Sequence, residues 1–177
     1  MVLTACAPTP PRETPPAPFP PTREIVPEPP AAPPMLSPDG APLSGIASWY
    51  GKTGNNRFHG KKTASGERFD RALYTAASNR FPLKTWLAVR RPDNGRCVVV
   101  WVNDRMHKRH KKRIVDLSEQ AAKTLDLIHR GIAPIEARPV RLAPELANTA
   151  KREAVEAAVC GLAFEAKEKG ARNDQNP

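Results

Sequence analysis

The sequence predicts a mainly β domain, a small barrel or sandwich, flanked by two segments of different composition. Three observations carry that reading. Between Leu43 and Leu142, short apolar segments alternate with turn signals. Before them, 15 of the 21 prolines fall between Ala7 and Pro42; that stretch has almost no apolar periodicity and cannot bury enough surface to offset chain entropy. After them the composition turns to Ala and Glu, with Val155, Val159 and Leu162 at helical spacing.

Taken in order, residues 1–6 end in Leu3-Thr4-Ala5-Cys6, an apolar residue, two small ones and a cysteine. This is the form of a bacterial lipoprotein cleavage site, with Cys6 the lipidation site. Only five residues precede Cys6, so the charged and apolar parts of such a signal are expected to lie upstream of the given start. Residues 7–42 read as a polyproline-like tether, with a reach on the order of 100 Å at about 3.1 Å per residue.

Within residues 43–142 the strand candidates are Ile46 to Tyr50, Leu73 to Ala77, Trp86 to Arg90, Cys97 to Val102, Ile114 to Asp116 and Ile135 to Val140. Asn94-Gly95 lies between the third and fourth and supplies positive φ for a hairpin. Ser118 can cap a helix from Glu119 to Leu127, with Ala121, Ala122, Leu125 and Ile128 on one face and Gly131 beyond its end. Pro139 weakens the last strand or places it at an edge. Residues 143–177 read as an appended amphipathic helix interrupted at Gly161.

The net charge of +10 belongs to the central domain, where 21 Lys and Arg face 8 Asp and Glu. A polyanion or an acidic surface is the expected partner, although a solvated basic face gives the same count. Nucleic acid is the weakest candidate, because the run Lys108 to Arg113 lacks interleaved aromatic residues. Cys97 and Cys160 read as two unpaired small hydrophobes, while export would permit a bridge between them. No CxxC pair is present, and His107 and His110 have no carboxylate or cysteine at ligand spacing. The expectation is therefore no metal and no cofactor.

One carboxylate stands out. The apolar run Cys97 to Val102 leads straight into Asn103-Asp104-Arg105. A strand holds such a group firmly, and a partly apolar wall can raise its pKa for acid/base work. Asn and Asp also commonly end a strand in a turn, and the segment alone leaves both readings open.

The motifs in order are Gly45-Ile-Ala-Ser-Trp-Tyr-Gly51, Phe58-His-Gly60, Lys62-Thr-Ala-Ser-Gly-Glu-Arg-Phe-Asp70, Tyr74-Thr-Ala-Ala77, Phe81-Pro-Leu83, Val102-Asn-Asp-Arg105 and Ile114-Val-Asp-Leu-Ser118. Together they closely resemble the rare lipoprotein A (RlpA) family over about residues 45–142. The resemblance implies a six-stranded double-psi β-barrel, with one or two short helices, in a lipoprotein of the outer membrane facing the periplasm. It also implies endolytic peptidoglycan transglycosylase activity, cutting glycan between N-acetylmuramic acid and N-acetylglucosamine with a 1,6-anhydro product. Cell-wall remodelling or daughter-cell separation at the septal ring, with division-site proteins as partners, belongs to the same expectation, as does a monomer.

By position, the family's glutamate falls on Glu67 and its aspartate on Asp104, while its usual histidine falls on Ser78. The chain also carries Met106 to Arg113 where the family often has a Gly-Pro turn, and no SPOR domain is read after the barrel. An anhydro-forming cleavage needs one group to protonate the leaving oxygen and one to take the proton from the sugar's 6-hydroxyl. Asp104 is expected as acid/base, with Glu67 as stabiliser or pKa-raising partner. Trp49, Tyr50, His59, Asn103 and Arg105 are the expected substrate contacts, with core packing the other reading for the two aromatics. Asp116 is read as structural. The alternative function is a glycan-binding barrel that Ser78 has silenced.

Overall fold

The apolar segments read from the sequence become strands that close on one another. In the computed structural model, which describes residues 36–52, 54 and 57–170, the strands are β1 (Leu36–Pro38), β2 (Leu43–Trp49), β3 (Thr75–Ala77), β4 (Thr85–Arg90), β5 (Cys97–Asp104), β6 (Arg113–Leu117) and β7 (Ile132–Leu142). The helices are α1 (Glu119–Thr124), α2 (Pro144–Thr149) and α3 (Ala157–Gly170). Cys6 and the residues before Leu36 lie outside the described set.

The sheet order is β1-β7-β2-β6-β3-β5-β4, and β4 pairs back onto β7. Six strands therefore form a closed barrel, which leaves no open edge along its wall. Two pairs, β2 with β6 and β3 with β5, are parallel, and the other pairings are antiparallel. This is the double-psi barrel that the motifs imply.

Leu36–Pro38, read from the sequence as part of the tether, instead pairs with β7 at Val140 to Leu142. Both β1 and β2 run along the same side of β7, separated by residues 39–42. Pro139 sits at that interruption. Its carbonyl accepts the Asp39 N–H at 2.8 Å, so its nitrogen faces the same gap and no ladder bond is lost.

Strand β5 shows why its apolar run lacks alternation. Val98, Val100 and Val102 face the barrel interior with Leu87, Val89, Val115 and Leu117. Cys97 and Val99 face outward, where Ala150, Val155, Cys160, Ala163 and Phe164 of the tail cover them. Both faces are dry, so both are apolar.

Three expectations are corrected here. Cys97 and Cys160 are joined in a disulfide, with Cα atoms 5.9 Å apart, because the tail packs α3 directly on the outer face of β5. Gly161 lies inside α3, and the helical tail breaks instead between Thr149 and Ala157. Helix α1 ends at Thr124, short of the expected Leu127, because Asp126 adopts φ 56°. The Leu127 N–H then reaches the Ala122 carbonyl at 2.8 Å and the Asp126 N–H reaches that of Lys123 at 3.0 Å, which is a Schellman closure. Its N-terminus is as read, with the Ser118 side chain accepting the Ala121 N–H.

Candidate active site

The site is built by an irregularity in one ladder. Along the parallel pair of β3 and β5, Ala76 stands opposite Val102 but Ala77 stands opposite Asp104, so Asn103 is an extra residue. In a regular ladder Asp104 would share the inward face of Val102, since side chains alternate with a period of two. The bulge turns it out of the core and onto the wall.

Two further pairings complete a row. Ala77 also stands opposite Asp116 on β6, and Asp116 opposite Ser48 on β2. Ser48, Asp116, Ala77 and Asp104 thus cross four adjacent strands. Asp104 and Asp116 are two strand spacings apart, on the order of 9–10 Å between Cα atoms. Both line one groove of about 460 Å³, together with Trp49, Tyr50, Phe58, His110 and Arg113. Asp116, read from the sequence as structural, is the second acid of the groove. The signal was present as a carboxylate inside Ile114-Val-Asp-Leu, because the residues on either side of it face the core.

The electrostatics differ between the two acids. Burial raises the Asp116 carboxyl above the ordinary aspartate range, against the opposing charges of Arg113 and His110. The Arg113 guanidinium reaches its Oδ2 at 3.1 Å, while Oδ1 is buried without a hydrogen-bond partner among the described residues. Asp104 is held differently. Its Oδ1 accepts the backbone N–H groups of Ala64 at 3.0 Å and Arg105 at 2.8 Å, which leaves Oδ2 for the groove.

Tyr50 is one of the aromatic residues of the groove. Its ring stacks on Phe69 at 4.5 Å and meets the Phe58 ring edge-on at 5.7 Å. Burial first, and then the charges of Asp104 and Asp116, push its hydroxyl well above the usual phenol range, so it stays a proton donor. That stack needs Gly51. At its φ of +81° a Cβ would lie 2.6 Å from Phe69 Cε1.

Glu67 does not line the groove; it sits against Asn103, the neighbour of Asp104 on β5. Its Oε2 accepts the Asn103 Nδ2 at 3.0 Å, and its Oε1 accepts the Trp101 Nε1 at 3.2 Å and the Lys151 Nζ at 3.0 Å. Burial raises its pKa, but the hydrogen bonds from Asn103 and Lys151, the Lys151 charge and the Trp101 N–H outweigh it, and the net direction is down. Glu67 is therefore an ionised anchor. The Ser65 N–H to Asn103 carbonyl bond, 2.9 Å, ties the same loop to the bulge, so Glu67 fixes the strand end that carries Asp104. Lys151, which lies over the Trp101 ring at 4.5 Å, comes from the tail.

The remaining sequence-predicted residues are placed as follows. Ser78 is fully buried. Its hydroxyl donates to the Ile114 carbonyl at 2.7 Å and accepts the N–H groups of Arg80 and Phe81, which makes it a turn clamp between β3 and β6. Arg105 lines the groove, and its guanidinium donates to the carbonyls of Ser78 and Phe81. His59 lies outside the groove, 3.8 Å from Asp70. Asn103 is buried under Glu67.

The six strands form a closed double-psi barrel, with a groove on its wall lined by two carboxylates and three aromatic residues. The family model described as lytic transglycolase matches residues 43–137, and the chain belongs to that family. An endolytic peptidoglycan transglycosylase RlpA of Neisseria meningitidis is 42% identical over 93 residues, covering 52% of this chain and 37% of that protein. A probable endolytic peptidoglycan transglycosylase RlpA of Aquifex aeolicus is 45% identical over 102 residues, covering 56% and 42% respectively. The chain thus spans about two fifths of the length of these curated relatives. Among solved structures, the apo expansin of Clavibacter michiganensis is 25% identical with a TM-score of 0.43, covering 57% of this chain and 51% of that one.

Proposed function

We propose that this chain is an endolytic lytic transglycosylase that cuts peptidoglycan glycan strands between N-acetylmuramic acid and N-acetylglucosamine, leaving a 1,6-anhydro end. The observation that carries the proposal is the bulge that turns Asp104 out of the core and into a groove shared with Asp116. The names of the relatives in the same family support the substrate. In the reaction the Asp104 carboxyl protonates the glycosidic oxygen as the bond to C1 breaks. The muramoyl 6-hydroxyl closes on C1, and the carboxylate takes that hydroxyl's proton, which restores the starting state.

Asp116 assists by holding the Arg113 guanidinium at the groove, 3.1 Å from its Oδ2, while burial raises its own carboxyl above the ordinary aspartate range. Trp49 offers an apolar face to a sugar ring. Glu67 acts at one remove, as a positioning residue through Asn103. The test is digestion of purified peptidoglycan followed by analysis for 1,6-anhydro ends. Their appearance supports the reading, and binding to the glycan without such ends leaves only a binding barrel.

Lipid attachment at Cys6, with the barrel held at the outer membrane facing the periplasm, is part of the same proposal. Leu3-Thr4-Ala5-Cys6 and the Pro-rich segment support it, and a disulfide suits an oxidising compartment. Labelled palmitate should enter the wild-type chain expressed with a full signal sequence, and not Cys6→Ser.

A further inference from the structure

Beside the groove lies a second cavity of about 270 Å³, lined by Asn79, Arg80, Lys108, His110, Lys111 and Arg113. It shares His110 and Arg113 with the groove, so a chain lying in one can extend into the other. No carboxylate lines it. Arg113 is occupied by Asp116, but Arg80, Lys108 and Lys111 have no acidic partner among the described residues. Elsewhere the fold pairs many of its cations, as at Arg90 with Glu136, Arg91 with Asp93 and Lys151 with Glu67.

The convergence is built, because it joins two separate segments. The Asn79 side chain donates to the Met106 carbonyl at 3.0 Å and accepts the Met106 N–H at 3.1 Å. That bidentate clamp fastens the start of the basic loop to the turn carrying Arg80. Turn bonds from His110 N to the His107 carbonyl and from Arg113 N to the His110 carbonyl shape the rest. Like charges gathered within about one Debye length, roughly 10 Å, repel unless an anion joins them.

We infer that this cavity is a carboxylate subsite, which takes the acidic substituent of a glycan whose backbone lies in the neighbouring groove. The inference rests on the proposed function for its substrate class. The shared chemistry is a carboxylate on the muramoyl 3-position, either the lactyl group itself or the acidic peptide built on it.

The experiment measures binding of the full chain at low salt to three glycans immobilised on beads: peptide-bearing strands, strands stripped of peptide so that the lactyl carboxylate is free, and uncharged chitin. Tighter binding to an acidic glycan than to chitin, by about tenfold for three exposed ion pairs, is expected. The gain should disappear at high salt and in R80Q/K108Q/K111Q, whose three altered side chains are exposed. A gain confined to stripped strands identifies the lactyl group as the ligand, and one confined to peptide-bearing strands identifies the peptide. Equal binding to all three glycans, or an undiminished gain in the triple variant, overturns the subsite. The 1,6-anhydro ends are scored separately. Their absence alongside a preference for acidic glycan overturns the cleavage reading and keeps the subsite, and the reverse pattern does the opposite.

Discussion

Breaking the Cys97–Cys160 bridge should unfasten the tail from the barrel, and the size of the effect follows from the chain it closes. The two cysteines are 63 residues apart, and the loop-entropy relation gives about 4 kcal/mol for a closure of that length. For a folded unit of this size roughly 3 °C accompanies each kcal/mol, so Tm should fall by about 12 °C. Fold should survive in part, because Val155, Ala163 and Phe164 remain buried against Val99 and Val140, with the Arg90 guanidinium 4.6 Å above the Phe164 ring. The assay is thermal unfolding of the wild type with and without reductant, alongside Cys97→Ala/Cys160→Ala. Reduction should expose two additional titratable thiols, and limited proteolysis should cut first within residues 143–170. A Tm shift under about 2 °C, with no new cleavage in the tail, would show that the bridge does not fasten the tail to the barrel.

Three further outcomes follow from named contacts. Against burial, the hydrogen bonds from Asn103 and Lys151 hold the Glu67 carboxyl below the ordinary glutamate value of 4.5, so the stability it contributes is present above that value and fades as pH falls through the folded pKa. The stability gap between wild type and Lys151→Met should therefore shrink in urea titrations below about pH 4.5, and a gap that widens there contradicts the pairing. Ser78→His should destabilise by about 2–4 kcal/mol, because a larger ring enters a fully buried site and the turn hydrogen bonds are lost; denaturant midpoints check this, and an unchanged midpoint counts against the clamp. Gly51→Ala should cost about 2 kcal/mol from positive φ and contact with Phe69, and weaken glycan binding by disturbing the Tyr50 stack.

The barrel was legible because its turns and short β segments are local signals, and the six strand positions follow from apolar runs bounded by Gly, Pro and Asn. The disulfide was not, since Cys160 lies in a segment whose docking depends on long-range contacts with the outer face of β5. Asp104 was legible as a strand-end carboxylate, but its direction depends on one extra residue in the ladder, which pattern reading does not reveal. Asp116 was legible as a carboxylate between core-facing residues, but its row with Ala77 and Asp104 exists only once β6 and β3 pair. Lys151 lies outside the family-matched residues 43–137, so no motif pointed to its contact with Glu67.

In the proposed reaction the carboxylate turned out by the bulge does the chemistry. Asp104→Asn keeps an oxygen for the Ala64 and Arg105 N–H groups and removes the proton exchange. With purified peptidoglycan as substrate, the rate of 1,6-anhydro end formation should fall at least about 100-fold, the scale of a lost general acid or base, while glycan binding and Tm stay near wild type. Anhydro ends formed by Asp104→Asn at the wild-type rate would contradict the account.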